Sequence, residues 1–112
     1  MLLLGHDISG FNKAGEEVAY ARFSMGNYNA TILYNLLDAN RYNAGVSGSG
    51  QSSTFSLDQM ERALDSYRKL YENGDPLPEN DPLTWDIKQI AEFLLDCLAT
   101  AKKEGNVGVY FG

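Results

Sequence analysis

Cysteine and histidine each occur once in this chain, as Cys97 and His6, and that scarcity removes whole classes of chemistry. A lone cysteine excludes an intramolecular disulfide and fits a reducing compartment. One cysteine and one histidine do not close a zinc site. Proline is confined to residues 74–83, as Pro76, Pro78 and Pro82, so that segment is expected to be a structured turn rather than a helix. Basic residues are few, nine against fifteen acidic for a net charge of −6, and adjacent only at Arg68-Lys69 and Lys102-Lys103. Such a field repels nucleic acid and anionic membrane, and accommodates a basic protein partner more easily. No run approaches the roughly 18 apolar residues of a membrane span. The start MLLLGHD lacks the basic region and long apolar region of a signal peptide. The expectation is a soluble, cytoplasmic protein that binds neither nucleic acid nor membrane.

What is present suits one folded α+β domain: 112 residues, 44% hydrophobic and 12% aromatic. Residues 2–9 and 17–24 are β-rich and flank FNKAGE, where Asn12 and Gly15 supply turn chemistry, which predicts a hairpin. Ile32, Leu33, Leu36 and Leu37 then follow helical spacing from an N-cap at Asn27 or Asn29 to an end near Asn40–Asn43. Ser56 and Gln59 form a capping box for a second helix, with Leu57, Met60, Leu64, Tyr67 and Tyr71 on one face and an end near Asn73-Gly74. Asp81-Pro82 opens a third. Trp85, Ile87, Ile90, Ala91, Leu94, Leu98 and Ala101 form its apolar face, Phe93, Leu95 and Cys97 widen it, and Lys102, Lys103 and Gly105 close it. It is expected to be the most buried element. Residues 107–112 complete the order ββαααβ as the last strand of a three-stranded antiparallel sheet covered on one face by the helices.

Between the first two helices lies the uncharged stretch 42–55, YNAGVSGSGQSSTF, with three glycines and four serines. Two readings stand. One is a flexible connector. The other is a loop whose backbone N–H groups and hydroxyls close over an anionic or nucleotide-like small molecule, with Arg41, Tyr42, Asn43, Ser47, Gly48, Ser49 and Gly50 as contacts. Gly48 and Gly50 are the expected positive-φ positions. The stretch lacks the Lys-Ser/Thr of a Walker loop and follows a helix rather than a strand.

A catalytic set is hard to assemble. His6 and Asp7 face opposite sides of a strand, and Cys97 sits in an apolar helix where a free cysteine behaves as a small hydrophobe. Asp75, Glu79 and Asp81 crowd one loop without calcium-loop spacing. Arg22 is expected to pair with Asp7 or Glu17. The expected function is therefore that of a small acidic, non-enzymatic interaction protein that inhibits, neutralises or masks another protein, with no cofactor. The alternative is a small-molecule binding protein using the Gly/Ser loop. If Ala19, Ala21 and Phe23, with Leu3, Gly5, Gly108 and Tyr110, face the helices, then Leu2, Leu4, Ile8, Val18, Val107, Val109 and Phe111 are left open. A homodimer would cover them by that face or by pairing of edge strands.

Overall fold

The computed structural model describes residues 5–24, 27–71 and 81–112. The chain order is β1 (Gly5–Phe11), β2 (Glu17–Ser24), α1 (Ala30–Leu36), a single 3₁₀ turn (Asn40–Tyr42), β3 (Gln51–Ser56), α2 (Leu57–Tyr71), α3 (Pro82–Glu104) and β4 (Asn106–Phe111). The four strands form one antiparallel sheet in the order β2-β1-β4-β3. This α+β architecture has one strand more than expected, because residues 51–55 of the Gly/Ser stretch belong to β3. Residues 2–4, the Asn73-Gly74 helix end, Asp75, Glu79 and most of the proline-containing segment lie outside the described residues.

Local side-chain chemistry explains most element ends. Asn12 Oδ1 accepts from the Glu16 N–H at 2.9 Å and closes the hairpin turn. Ser56 Oγ accepts from the Gln59 N–H at 3.1 Å, and Gln59 Oε1 from the Ser56 N–H at 2.8 Å, the reciprocal capping box that starts α2. Asp81 Oδ1 accepts from the Leu83 N–H at 2.9 Å to cap α3. At its far end Gly105 takes the left-handed conformation, φ 90°. Helix α1 stops earlier than expected. Asp38 is left-handed, φ 53°, and the Ala39 N–H closes back on the Tyr34 carbonyl at 2.8 Å, a Schellman ending before Asn40 is reached.

The hairpin register decides which face is the core. Ile8 stands opposite Ala21 and Phe111, Gly10 opposite Ala19 and Val109, His6 opposite Phe23, and Phe55 opposite Val107. Directly opposed residues share a face, so Ile8, Val107, Val109 and Phe111 of one expected set join Ala19, Ala21 and Phe23 of the other on a single face, while Tyr110 is on the opposite one. That shared face is buried. Helix α3 crosses β2, β1 and β4, with α2 beside it and α1 against α2. The approach is tight: a Cβ on Gly10 would lie 2.8 Å from the Cys97 Sγ. The outer face carries Asp7, Tyr20, Arg22, Tyr110, Ser52 and Thr54, and among the described residues Ile8, Val107, Val109 and Phe111, expected on an open face, are buried under the helices instead.

Candidate functional site

The Gly/Ser stretch is tied into the sheet. Within it, the N–H groups of Ala44, Gly48, Ser49 and Gly50 donate to the carbonyls of Ser47, Gly112, Tyr42 and Phe111 at 2.8–2.9 Å, and the Gly45 N–H donates to Asn43 Oδ1 at 2.8 Å. Those five donors are spent inside the protein. Gly50 and Gln51 both oppose Phe111, a glycine bulge with Gly50 at φ 78°. Gly48 does not have positive φ. It is glycine because a Cβ there would stand 2.6 Å from the Phe111 carbonyl carbon and oxygen. The other left-handed glycine of the stretch is Gly45, φ 98°.

The seven expected contact residues do not surround one cavity. Arg41 and Tyr42 join an aromatic stack on Phe111. The Tyr42 ring lies 4.8 Å from Phe111 at 4°, the Tyr34 ring 5.6 Å away on the same residue, and the Arg41 guanidinium 5.1 Å over Tyr42. Hydrogen bonding to Ser53 and then Arg41 holds the Tyr42 hydroxyl below its ordinary pKa. Ser47 Oγ donates to the Gly48 carbonyl at 3.0 Å, and Ser49 and Gly50 are exposed beyond it. Asn43, of the seven, lines a cleft formed by described residues.

That cleft, of about 390 Å³, lies between α1 and the loop, with His6 at its base and Asn27, Tyr28, Thr31, Gly45 and Val46 around it. His6 Nε2 contacts the Gly45 carbonyl at 3.1 Å, and since a carbonyl only accepts, Nε2 carries the proton. In the neutral ring Nδ1 then accepts from the Tyr34 hydroxyl at 2.9 Å, and burial pushes Tyr34 up to about 12, which keeps that donor protonated. The histidine thus anchors the loop.

The remaining reactive groups stand apart from it. Asp7 is on the outer face, accepting from Tyr20 Oη and, at 2.7 Å, from Arg22, the pairing expected across the hairpin. Those bonds, Tyr20 first, hold its carboxyl below the ordinary range and raise the Tyr20 hydroxyl. Cys97 is buried on the inner face, where burial and then Asp96 push its thiol up to about 12.

No protein family, no curated protein and no solved structure matches this chain. Its surface is what remains to be read.

The feature that sequence reasoning missed is Trp85. Expected in the core, it is 71% exposed, while Ile87, Ile90, Phe93, Leu94, Cys97 and Leu98 are buried and Leu95 is exposed. The signal was present in the spacing: nine residues at about 100° each set Trp85 half a turn away from Leu94. Trp85, Lys88, Gln89 and Glu92 lie at i, i+3, i+4 and i+7 on α3 and, with Tyr20 of β2 (48% exposed), line a shallow cleft of about 470 Å³. Gln89 fixes the floor, accepting from the Arg22 N–H at 2.7 Å and donating to the Arg22 carbonyl at 2.9 Å.

Proposed function

We propose that this chain is a non-enzymatic interaction protein that binds another protein, and so inhibits, neutralises or masks it, through the surface centred on Trp85 and Tyr20. The observation that carries the reading is the sole tryptophan standing in solvent beside an exposed tyrosine, on a floor held rigid by Gln89. Tryptophan, tyrosine and arginine are the residues that most often carry binding energy at protein interfaces, and here Arg22 is the third member of the group. The structural employment of His6 and Cys97 supports the non-enzymatic part. The test is capture from the native host extract with the wild type and with Trp85→Ala/Tyr20→Ala, both checked for equal thermal stability. A protein retained by the wild type and lost by the variant supports the reading. Equal retention, or no retained protein, contradicts it.

A second reading, a small-molecule binding protein, is favoured by the His6 cleft, whose volume falls within the usual range for ligand sites. Its contacts would be Asn43, Thr31 and Tyr28 rather than the loop amides. Native mass spectrometry of protein purified from its host tests it: a co-purifying ligand lost in Asn43→Ala supports this reading, and repeated absence of one contradicts it.

A further inference from the structure

The two edges of the sheet are finished differently. On β2 the Gln89 side chain occupies both outward polar groups of Arg22, the register shifts at Gly10/Phe11, and Glu17 and Arg22 bring exposed charge. Bulges, charge and covered backbone are how natural edges resist pairing. β3 has its own glycine bulge at Gly50 and the Gln59 side chain over Ser56, but between them it carries no charge. No charged residue and no proline stands between Arg41 and Asp58, in a chain of net charge −6. The Leu57 N–H donates to the Gly105 carbonyl at 3.2 Å, in the same register as the pairs Phe55–Val107 and Ser53–Val109. Odd-numbered residues of β3 therefore bond β4, and the exposed even-numbered residues Ser52, Thr54 and Ser56 turn their backbone polar groups away from the sheet. Gln59 takes the Ser56 N–H. Ser52 and Thr54 keep theirs facing outward.

We propose that a second copy of this chain adds to β3 as an antiparallel strand, about a two-fold axis that sets Thr54 opposite Thr54, where each N–H meets the other's carbonyl, and Ser52 beside Ser56, whose own N–H stays with Gln59. Charge favours a second copy as occupant, because two uncharged edges meet without opposing like charges inside the ladder. The hydroxyl side chains are self-complementary, and cross-strand threonine pairs are favourable. A foreign extended peptide would need pockets beside the edge to read its side chains, and neither the His6 cleft nor the Trp85 cleft is lined by a β3 residue. A two-fold pairing uses up the β3 edge of both copies, and on β2 Gln89 covers Arg22 while Glu17 and Arg22 bring charge, so addition stops at a closed pair instead of running on as a fibre. The edge is at the opposite side of the sheet from Trp85, so this pairing and the Trp85 surface succeed or fail separately.

Sedimentation equilibrium over the micromolar range tests the pairing, since a strand ladder over residues 52–56 makes a smaller interface than a standard one and the association is correspondingly weak. The wild type is expected to move from the mass of one chain toward two as concentration rises. Thr54→Lys, which opposes two like charges on the axis, is expected to weaken association by at least about tenfold. Thr54→Pro, which removes an outward N–H and leaves the β4 ladder intact, should act likewise. Hydrogen exchange of the wild type supplies a readout independent of variant folding: the Thr54 amide should slow with concentration. A wild type that stays at one chain, a dimer indifferent to both substitutions, or a Thr54 amide that exchanges equally fast at all concentrations would overturn the proposal.

Discussion

Replacing Gly48 by alanine should damage the protein although the residue lies in a Gly/Ser stretch and has an ordinary φ. A Cβ at this position falls 2.6 Å from the Phe111 carbonyl carbon and oxygen and 2.8 Å from the Gly112 carbonyl oxygen. These are backbone atoms of the neighbouring strand end, so no rotamer change relieves the contact. The loop must lift, and the Gly48 N–H bond to Gly112 at 2.9 Å goes with it. Overpacking of this kind costs about 1–3 kcal/mol and a lost hydrogen bond about 1 kcal/mol, so the expected loss is roughly 2–4 kcal/mol. Gly45→Ala is the control: nothing lies within 4 Å of its Cβ, and the left-handed φ of 98° alone costs about 1–2 kcal/mol. Urea denaturation of both variants measures the difference as a shift in midpoint at unchanged slope. A Gly48→Ala loss below about 1 kcal/mol, or no larger than that of Gly45→Ala, would refute the tethered loop and restore the plain connector.

Other consequences follow from the core and the outer face. Leu94→Ala, at the fully buried centre of α3, should cost about 2–5 kcal/mol, and a loss under about 1 kcal/mol in the same titration would misplace the core. The Cys97 thiol, pushed up to about 12 by burial, should resist thiol reagents in native buffer at mildly alkaline pH and react once urea is added; rapid native labelling would contradict its burial. Asp7 has a depressed pKa in the folded state, so its contribution to stability is present above the unfolded value of about 4 and is lost as pH falls through the folded one. Asp7→Asn should flatten the acid limb of the stability profile in that window, and an unchanged limb would count against the Tyr20–Asp7–Arg22 cluster.

Where one side chain acts on the backbone beside it, the sequence was legible. Ser56 with Gln59, Asp81 with Pro82, Asn12 with Gly15, and Gly105 all mark their element ends as expected, because capping and turn chemistry is local. β3 was not legible. In QSSTFS only Phe55 is buried, so the apolar alternation that signals a strand is missing, and the strand exists because β4 offers it a partner. The face assignment failed for a similar reason. The five residues between Phe11 and Glu17 set the parity of the hairpin, and a shift of one residue exchanges faces throughout. The expected ligand loop was legible as an unusual stretch but not in its role. The partners of its amides are carbonyls of β4 and of the loop itself, which spacing alone does not disclose.

Site-specific photocrosslinking at position 85, carried out in the native host, tests the proposed docking surface most directly. A photoreactive aromatic residue in place of Trp85, which keeps a large ring at the docking surface, should give one discrete adduct with another protein, and the same residue in place of the exposed Ser66 on α2 should give none. Absence of any adduct at position 85 in folded protein, or the same adducts at both positions, would contradict the account.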